Sequence, residues 1–178
     1  MTEEQLVSGC IKAEPAAQEQ LYKRFSRKMF GVCLRYTSSR EEAEDLLQEA
    51  FVTVFGKLSS FKNEGSLEGW IRRIVVNTVL QSFRKQRIVL VETEELPEAA
   101  APEGMSMETK ELLMLIQSLP TGYRTVFNLY AIEGYTHLEI ANMLGINENT
   151  SKSQYSRARA QLMNTLRSRQ GAQAENEK

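Results

Sequence analysis

Between Thr150 and Arg169 the chain places Lys152, Arg157, Arg159, Arg167 and Arg169 and no acidic residue. The chemistry open to such a run is recognition of phosphate. Each Lys or Arg releases a condensed counterion from DNA, and Arg can also fork onto a base edge. A second set, Arg73, Asn77, Gln81, Arg84 and Lys85, recurs at steps of three and four, with Arg72 and Arg87 beside it. Arg, Asn and Gln interleaved on one helical face suit a nucleic-acid backbone and base edges better than water alone. Phe61 and Trp70 flank the stretch KNEGS. Aromatic rings beside a basic groove can stack on unpaired bases, although burial in a core is the competing role for both rings. A third set is acidic: Asp45, Gln48 and Glu49 stand at i, i+3 and i+4, opposite Leu47, Phe51 and Phe55. Spacing alone leaves that patch as an ordinary solvated helix face.

Other chemistries have no residues to carry them. The sequence shows no paired acid and base, no nucleophile with a histidine, no phosphate-cradling glycine loop and no metal-ligand cluster. It is therefore expected to be no enzyme and to hold no cofactor and no metal. His137, the only histidine, falls in the first turn of a short predicted helix and reads as a surface residue. Cys10 and Cys33 lack metal spacing and read as small buried thiols in a reducing cytoplasm. No apolar run approaches the roughly 20 residues of a membrane span, so no direct membrane insertion is expected.

The elements that must position these sets all read as helical. After Pro15, which suits a first helical turn, Leu21, Phe25, Met29, Val32 and Tyr36 recur at helical steps. Ser39 stands three residues before Glu42 at capping-box spacing, and the helix beyond it has Leu47, Ala50, Phe51, Val54, Phe55 and Leu58 for burial. Ser66 can cap a third long helix, with Trp70, Ile71, Ile74, Val75 and Thr78 inside. Residues 91–109 carry six acids, two prolines and no base, between a block of net charge +3 and one of net charge +2. That composition predicts a flexible, self-repelling linker. The reading is an all-α protein: a helical domain over 1–90, an acidic linker over 91–109, a second helical domain over 110–170, and a polar tail over 171–178.

The second domain contains a helix-turn-helix pattern. Thr136 and Glu139 make a capping box, Ala141 is the small residue where two helices touch, and Gly145 suits a left-handed turn. Ile140, Leu144 and Ile146 form an inner wall faced by Tyr155, Ala158 and Leu162. Asn147 can cap the basic helix. Asn149, Thr150, Lys152, Ser153, Ser156, Arg157 and Arg159 then project outward as candidate DNA contacts. Ser151 is the misfit, because it faces the core; its hydroxyl is expected to bond back to a carbonyl one turn earlier.

In this order, DLLQEAFVTVF, SFKNEGSLEGWIRRIVVNT, the acidic linker and LPTGYRTVFNLYAIEGYTHLEIANMLGINENTSKSQYSRARAQL resemble a bacterial RNA polymerase sigma factor of the extracytoplasmic-function (ECF, group IV) type. The resemblance spans about residues 15–168. It implies that Asp45, Gln48 and Glu49 dock on the clamp coiled coil of the largest subunit of core RNA polymerase. It implies that Phe61, Lys62, Asn63 and Ser66 belong to a loop that captures a flipped base of the −10 element. Trp70, Arg73 and Asn77 would belong to the −10 reading helix, and the basic C-terminal helix would read the −35 element. It further implies promoter DNA, duplex and single-stranded, and an anti-sigma factor as partners, and a cytoplasmic location. The chain departs from the usual pattern at Asn149 and Ser151, and by carrying acidic Glu64 inside the capture loop. Two rival readings stay open on residues alone: a stand-alone DNA-binding regulator, and a helical adaptor whose basic stripes are merely solvated.

Overall fold

The computed structural model describes residues 1–85 and 106–176, and all of the regular structure in them is helical. Most of the acidic stretch 91–109 and Arg87 lie outside the described residues. The chain divides into two compact units. Among the described residues α1 to α4 build the first and α5 to α8 the second, which also takes in Arg35–Ser39.

The first unit opens with α1 (Glu3–Ile11), an element the sequence reading left out. Its signal is a capping box: Thr2 Oγ1 accepts from the Gln5 N–H at 3.2 Å, and the Thr2 N–H donates to Gln5 Oε1 at 2.9 Å. α2 (Pro15–Tyr36) starts on Pro15 and buries Leu21, Phe25, Met29 and Val32. α3 (Arg40–Lys57) packs on α4 (Leu67–Lys85). Their apolar stripes, from Leu46 to Val54 and from Ile71 to Phe83, meet in the core. Each such side chain taken fully out of water contributes about 1.5–3 kcal/mol. A 3-10 turn, Leu58–Ser60, seats Leu58 in that core and releases the chain into the loop before α4. Ser66 caps α4 as expected, its Oγ accepting from the Gly69 N–H at 3.1 Å. A Cβ on residue 69 would stand 3.0 Å from that same oxygen, a tight contact that glycine avoids. Trp70, Ile74 and Phe55 are half-buried rather than fully inside.

In the second unit Ser106 caps α5 (Met107–Gln117) through the Thr109 N–H at 3.3 Å, so the last residues of the stretch read as linker already sit in a helix. α6 (Thr121–Phe127) follows Pro120. A π-helical turn, Asn128–Ile132, succeeds α6 and is closed by the Glu133 N–H on Asn128 O at 2.9 Å. Gly134, at φ +80°, reverses the chain. α7 (His137–Leu144) and α8 (Glu148–Asn176) complete the unit. Leu115, Leu119, Ala158 and Leu162 form its core, with Tyr123 and Phe127 packed against them. Buried Arg124 ties α5 to α6 by donating to Gln117 O at 3.1 Å and Thr121 Oγ1 at 3.3 Å. α8 continues past residue 170 through Asn176, where Ala and Gln keep helix propensity and no proline intervenes.

Candidate nucleic-acid interface

Short polar contacts fix both the start of α7 and the turn that leads from it into α8. Thr136 Oγ1 accepts from the Glu139 N–H at 3.2 Å, while Glu139 Oε2 accepts from Thr136 N and Oγ1 at 2.8 and 2.9 Å. These donors hold the Glu139 carboxyl below its ordinary range. Gly145 takes the left-handed conformation, φ +67°, that ends α7. The Ile146 N–H then returns to Ala141 O at 3.0 Å, and Asn147 Oδ1 accepts from the Asn149 N–H at 2.7 Å to start α8. Ile140 and Ala141 are buried where the two helices meet, while Leu144 and Ile146 are half-buried.

On α8 the inward positions are Ser151, Ala158 and Leu162, all buried. Asn149, Thr150, Lys152, Ser153, Ser156, Arg157 and Arg159 are all exposed. All seven sequence-predicted contacts thus stand on the exposed side of one helix, where Arg157 also donates to Tyr123 Oη at 3.5 Å. Lys152 meets Glu148 at 2.8 Å, an exposed pair of the kind that contributes little and can yield to a phosphate. Helix α8 begins with backbone N–H groups beside the polar Asn149 and Thr150, which suits an anion at its first turn.

Ser151 does not behave as the sequence suggests. Its buried hydroxyl lies 2.9 Å from Nδ1 of His137 across the two helices. His137 is itself half-buried, not a plain surface residue. Its ring stacks on Tyr130 with centroids 4.2 Å apart and planes 9° apart, and Tyr155 lies 5.9 Å away at 59°. Burial, and the positive charge of Lys152, push the imidazole below its ordinary value, with Glu148 opposing. Nothing in linear spacing pairs residues 14 apart across a turn, and Tyr130 reaches the ring only because the π turn presents it.

The second set gathers around the loop before α4. Phe61, Lys62, Ser66, Trp70 and Arg73 line one open cleft of about 370 Å³, together with Glu64. Phe61 and Trp70 stand with centroids 5.5 Å apart and planes tilted by 54°. Both rings are half-buried, so each keeps a wet surface on which a base could stack. Asn63 adopts φ +58°, a left-handed conformation that Asn tolerates better than most residues, and this turns it out of that cleft. It lines a neighbouring, more apolar cleft of about 290 Å³ with Phe61, Val7 and Ile11. Asn77 is exposed one turn beyond Arg73 on α4. The loop residues are thus split between two clefts that share Phe61, an arrangement that depends on α1.

Asp45, Gln48 and Glu49 are exposed together on α3. Glu49 reaches Lys85 of α4 at 3.2 Å, which joins the acidic patch to the end of the basic stripe. Among the described residues no group of His, Cys, Asp and Glu could hold a metal ion, and no helix is long and apolar enough to cross a membrane.

Two family models match the chain. Residues 21–88 match the family model for sigma-70 region 2, and residues 109–162 match that for sigma-70 region 4. The chain is 28% identical over 163 residues to the ECF RNA polymerase sigma factor SigM of Mycobacterium tuberculosis, covering 91% of this chain and 83% of the relative. It is 29% identical over 182 residues to the ECF RNA polymerase sigma-E factor of Escherichia coli K12, covering 93% and 95%. Among solved structures, the sigma factor RpoE of Bartonella quintana, in complex with the anti-sigma factor NepR, aligns with a TM-score of 0.54 at 22% identity over 84% of this chain and 96% of that one. CnrH, in complex with the cytosolic domain of CnrY, aligns with a TM-score of 0.51 at 22% identity, covering 92% and 96%. At these identities the two structures speak for the fold.

Proposed function

The chain belongs to the ECF-type sigma factors, and from that premise we propose that it is a dissociable promoter-specificity subunit of RNA polymerase with no catalytic activity of its own. The observation that carries this reading is the sorting of residues by unit. The region 2 match holds the exposed Asp45, Gln48 and Glu49 and the Phe61–Trp70 cleft, and the region 4 match holds the seven exposed residues of α8.

The three α3 residues dock on the clamp coiled coil of the polymerase largest subunit. The α8 face enters the major groove of the −35 element: Asn149, Thr150, Lys152 and Ser153 lie nearest the bases, with Ser156, Arg157 and Arg159 toward phosphate. At the −10 element Phe61 and Trp70 stack on an extruded base, Lys62 and Ser66 supply polar contacts in the same cleft, Asn63 meets the strand from the neighbouring cleft, and Arg73 and Asn77 follow the backbone. Stacking of about 1–3 kcal/mol per base offsets the unstacking cost of about the same size. Neither surface is large, so specificity arises when both are tethered on polymerase and gain by effective concentration. An anti-sigma factor is the expected partner, by likeness to the complex of RpoE with the anti-sigma factor NepR, and the cytoplasm is the expected location.

Gel filtration with sigma-free core polymerase tests the reading. The wild-type chain should co-elute, and a variant with Asp45→Ala, Gln48→Ala and Glu49→Ala should do so weakly. Failure of the wild type to co-elute at low and moderate salt would overturn it in favour of a stand-alone DNA-binding regulator.

A further inference from the structure

The helix-turn-helix carries one polar contact that no general feature of the motif requires. Ser151 is fully buried, and a buried hydroxyl without a partner is costly. Its partner is Nδ1 of His137, at 2.9 Å, from the first turn of the other helix. The imidazole is held on two further sides. Tyr130, from the π turn, covers one face with ring centroids 4.2 Å apart. Tyr155, one turn beyond Ser151 on α8, approaches at 5.9 Å and itself touches Tyr130 at 4.6 Å. Three elements therefore converge on one ring, which stands beside the residues that start the exposed face of α8.

We propose that His137 is a positioning residue: its neutral imidazole pins the first turn of α8 to the first turn of α7, and duplex binding weakens when the ring is protonated. The inference rests on the reading of α8 as the −35 reader.

The surroundings explain why the neutral form is the one that fits. His137 occupies the first position of α7 and faces the first turn of α8, so two positive helix ends flank it. From α8 the charged groups facing it are Lys152 and Glu148, and these already pair with each other at 2.8 Å. On its own helix Glu139 is committed to the Thr136 cap. The π turn and the middle of α8 offer only the Tyr130 and Tyr155 rings. No uncommitted acid among these groups can take up the charge of an imidazolium. In the neutral ring one nitrogen accepts and the other donates, so Nδ1 can accept from Ser151 Oγ–H. Protonation makes Nδ1 a donor, reverses that bond and places a cation beside Lys152. The lowered pKa of the ring agrees with this arrangement. The sign follows: folding and presentation of α8 are at full strength above the ordinary histidine value and decline as pH falls through the lowered one.

The chain has a single histidine, so its imidazole protons can be followed by NMR in the full-length protein without assignment. The DNA probe is a duplex recovered from a randomised pool by the chain bound to core polymerase. The wild-type imidazole should titrate below 6.5, and Ser151→Ala should move its midpoint upward. Duplex affinity of the wild type should fall by about tenfold or less between about pH 7.5 and about pH 5.5, while His137→Gln, a neutral residue, should bind with a flat profile. A midpoint at or above the ordinary value, an unchanged pH slope in His137→Gln, or tighter binding in acid would each overturn the proposal. Recovery of no duplex at any pH would overturn the reading of α8 as the −35 reader instead, and the NMR titration would still decide whether Ser151 holds the ring neutral.

Discussion

The helix-turn-helix and the cleft before α4 offer similar side chains but hold them differently. In the first, seven exposed residues share one helix that starts on an Asn cap, and the helix before it opens on a capping box and closes on a left-handed glycine. In the second, five residues reach a common cleft from a loop and a helix, with Asn63 in a left-handed conformation and turned to the neighbouring cleft. The lesson concerns the target. A duplex is a regular object, and a rigid helix matches it before contact. An extruded base is irregular, and a walled cleft with exposed ring faces suits it better than a regular element does.

That contrast can be broken first at the core of the proposed duplex reader. Ile140→Ala should destabilise the second unit by about 2–5 kcal/mol in a denaturant titration, because a fully buried side chain leaves a cavity between α7 and α8. Loss of less than about 1 kcal/mol would mean that the two helices are not held by their inner wall. Phe61→Ala probes the other region. It should weaken binding of a single-stranded −10 oligonucleotide to the holoenzyme by about 1–3 kcal/mol while leaving duplex binding alone. Equal losses on both probes would erase the proposed division of labour. The smallest effect sharpens the comparison at the α7 cap. Glu139 is held below the ordinary carboxylate range by its bonds to Thr136, so its contribution is present above the unfolded value and is lost as pH falls through the lowered one. A Glu139→Gln variant should therefore lose part of the acid dependence of melting seen in the wild type. An identical pH profile would show that the cap holds without its charge.

Much of this molecule was legible before any coordinates, because the decisive signals are local. Thr136 and Glu139, Gly145, Asn147 and Ser66 each act on backbone groups two to four residues away, and all do what their spacing predicts. The alternation of Ala158 with Arg157 and Arg159 likewise fixes which side of α8 is wet. Helix α1 was legible in principle, since Thr2 and Gln5 carry the same box. It was missed because its apolar stripe is short.

By itself the sequence determined the helices, their caps and the faces they show, since helical periodicity and capping depend on neighbours along the chain. Only tertiary structure decided what lies between distant segments. It set α1 beside the loop of Phe61 and Asn63, joined Glu49 to Lys85, and turned Tyr130 onto His137 through a π turn. Above all it gave the buried Ser151 hydroxyl an imidazole rather than a backbone carbonyl. A buried polar group takes whatever partner the packing brings within 3 Å or so, and no pattern along one helix states what the next helix will bring.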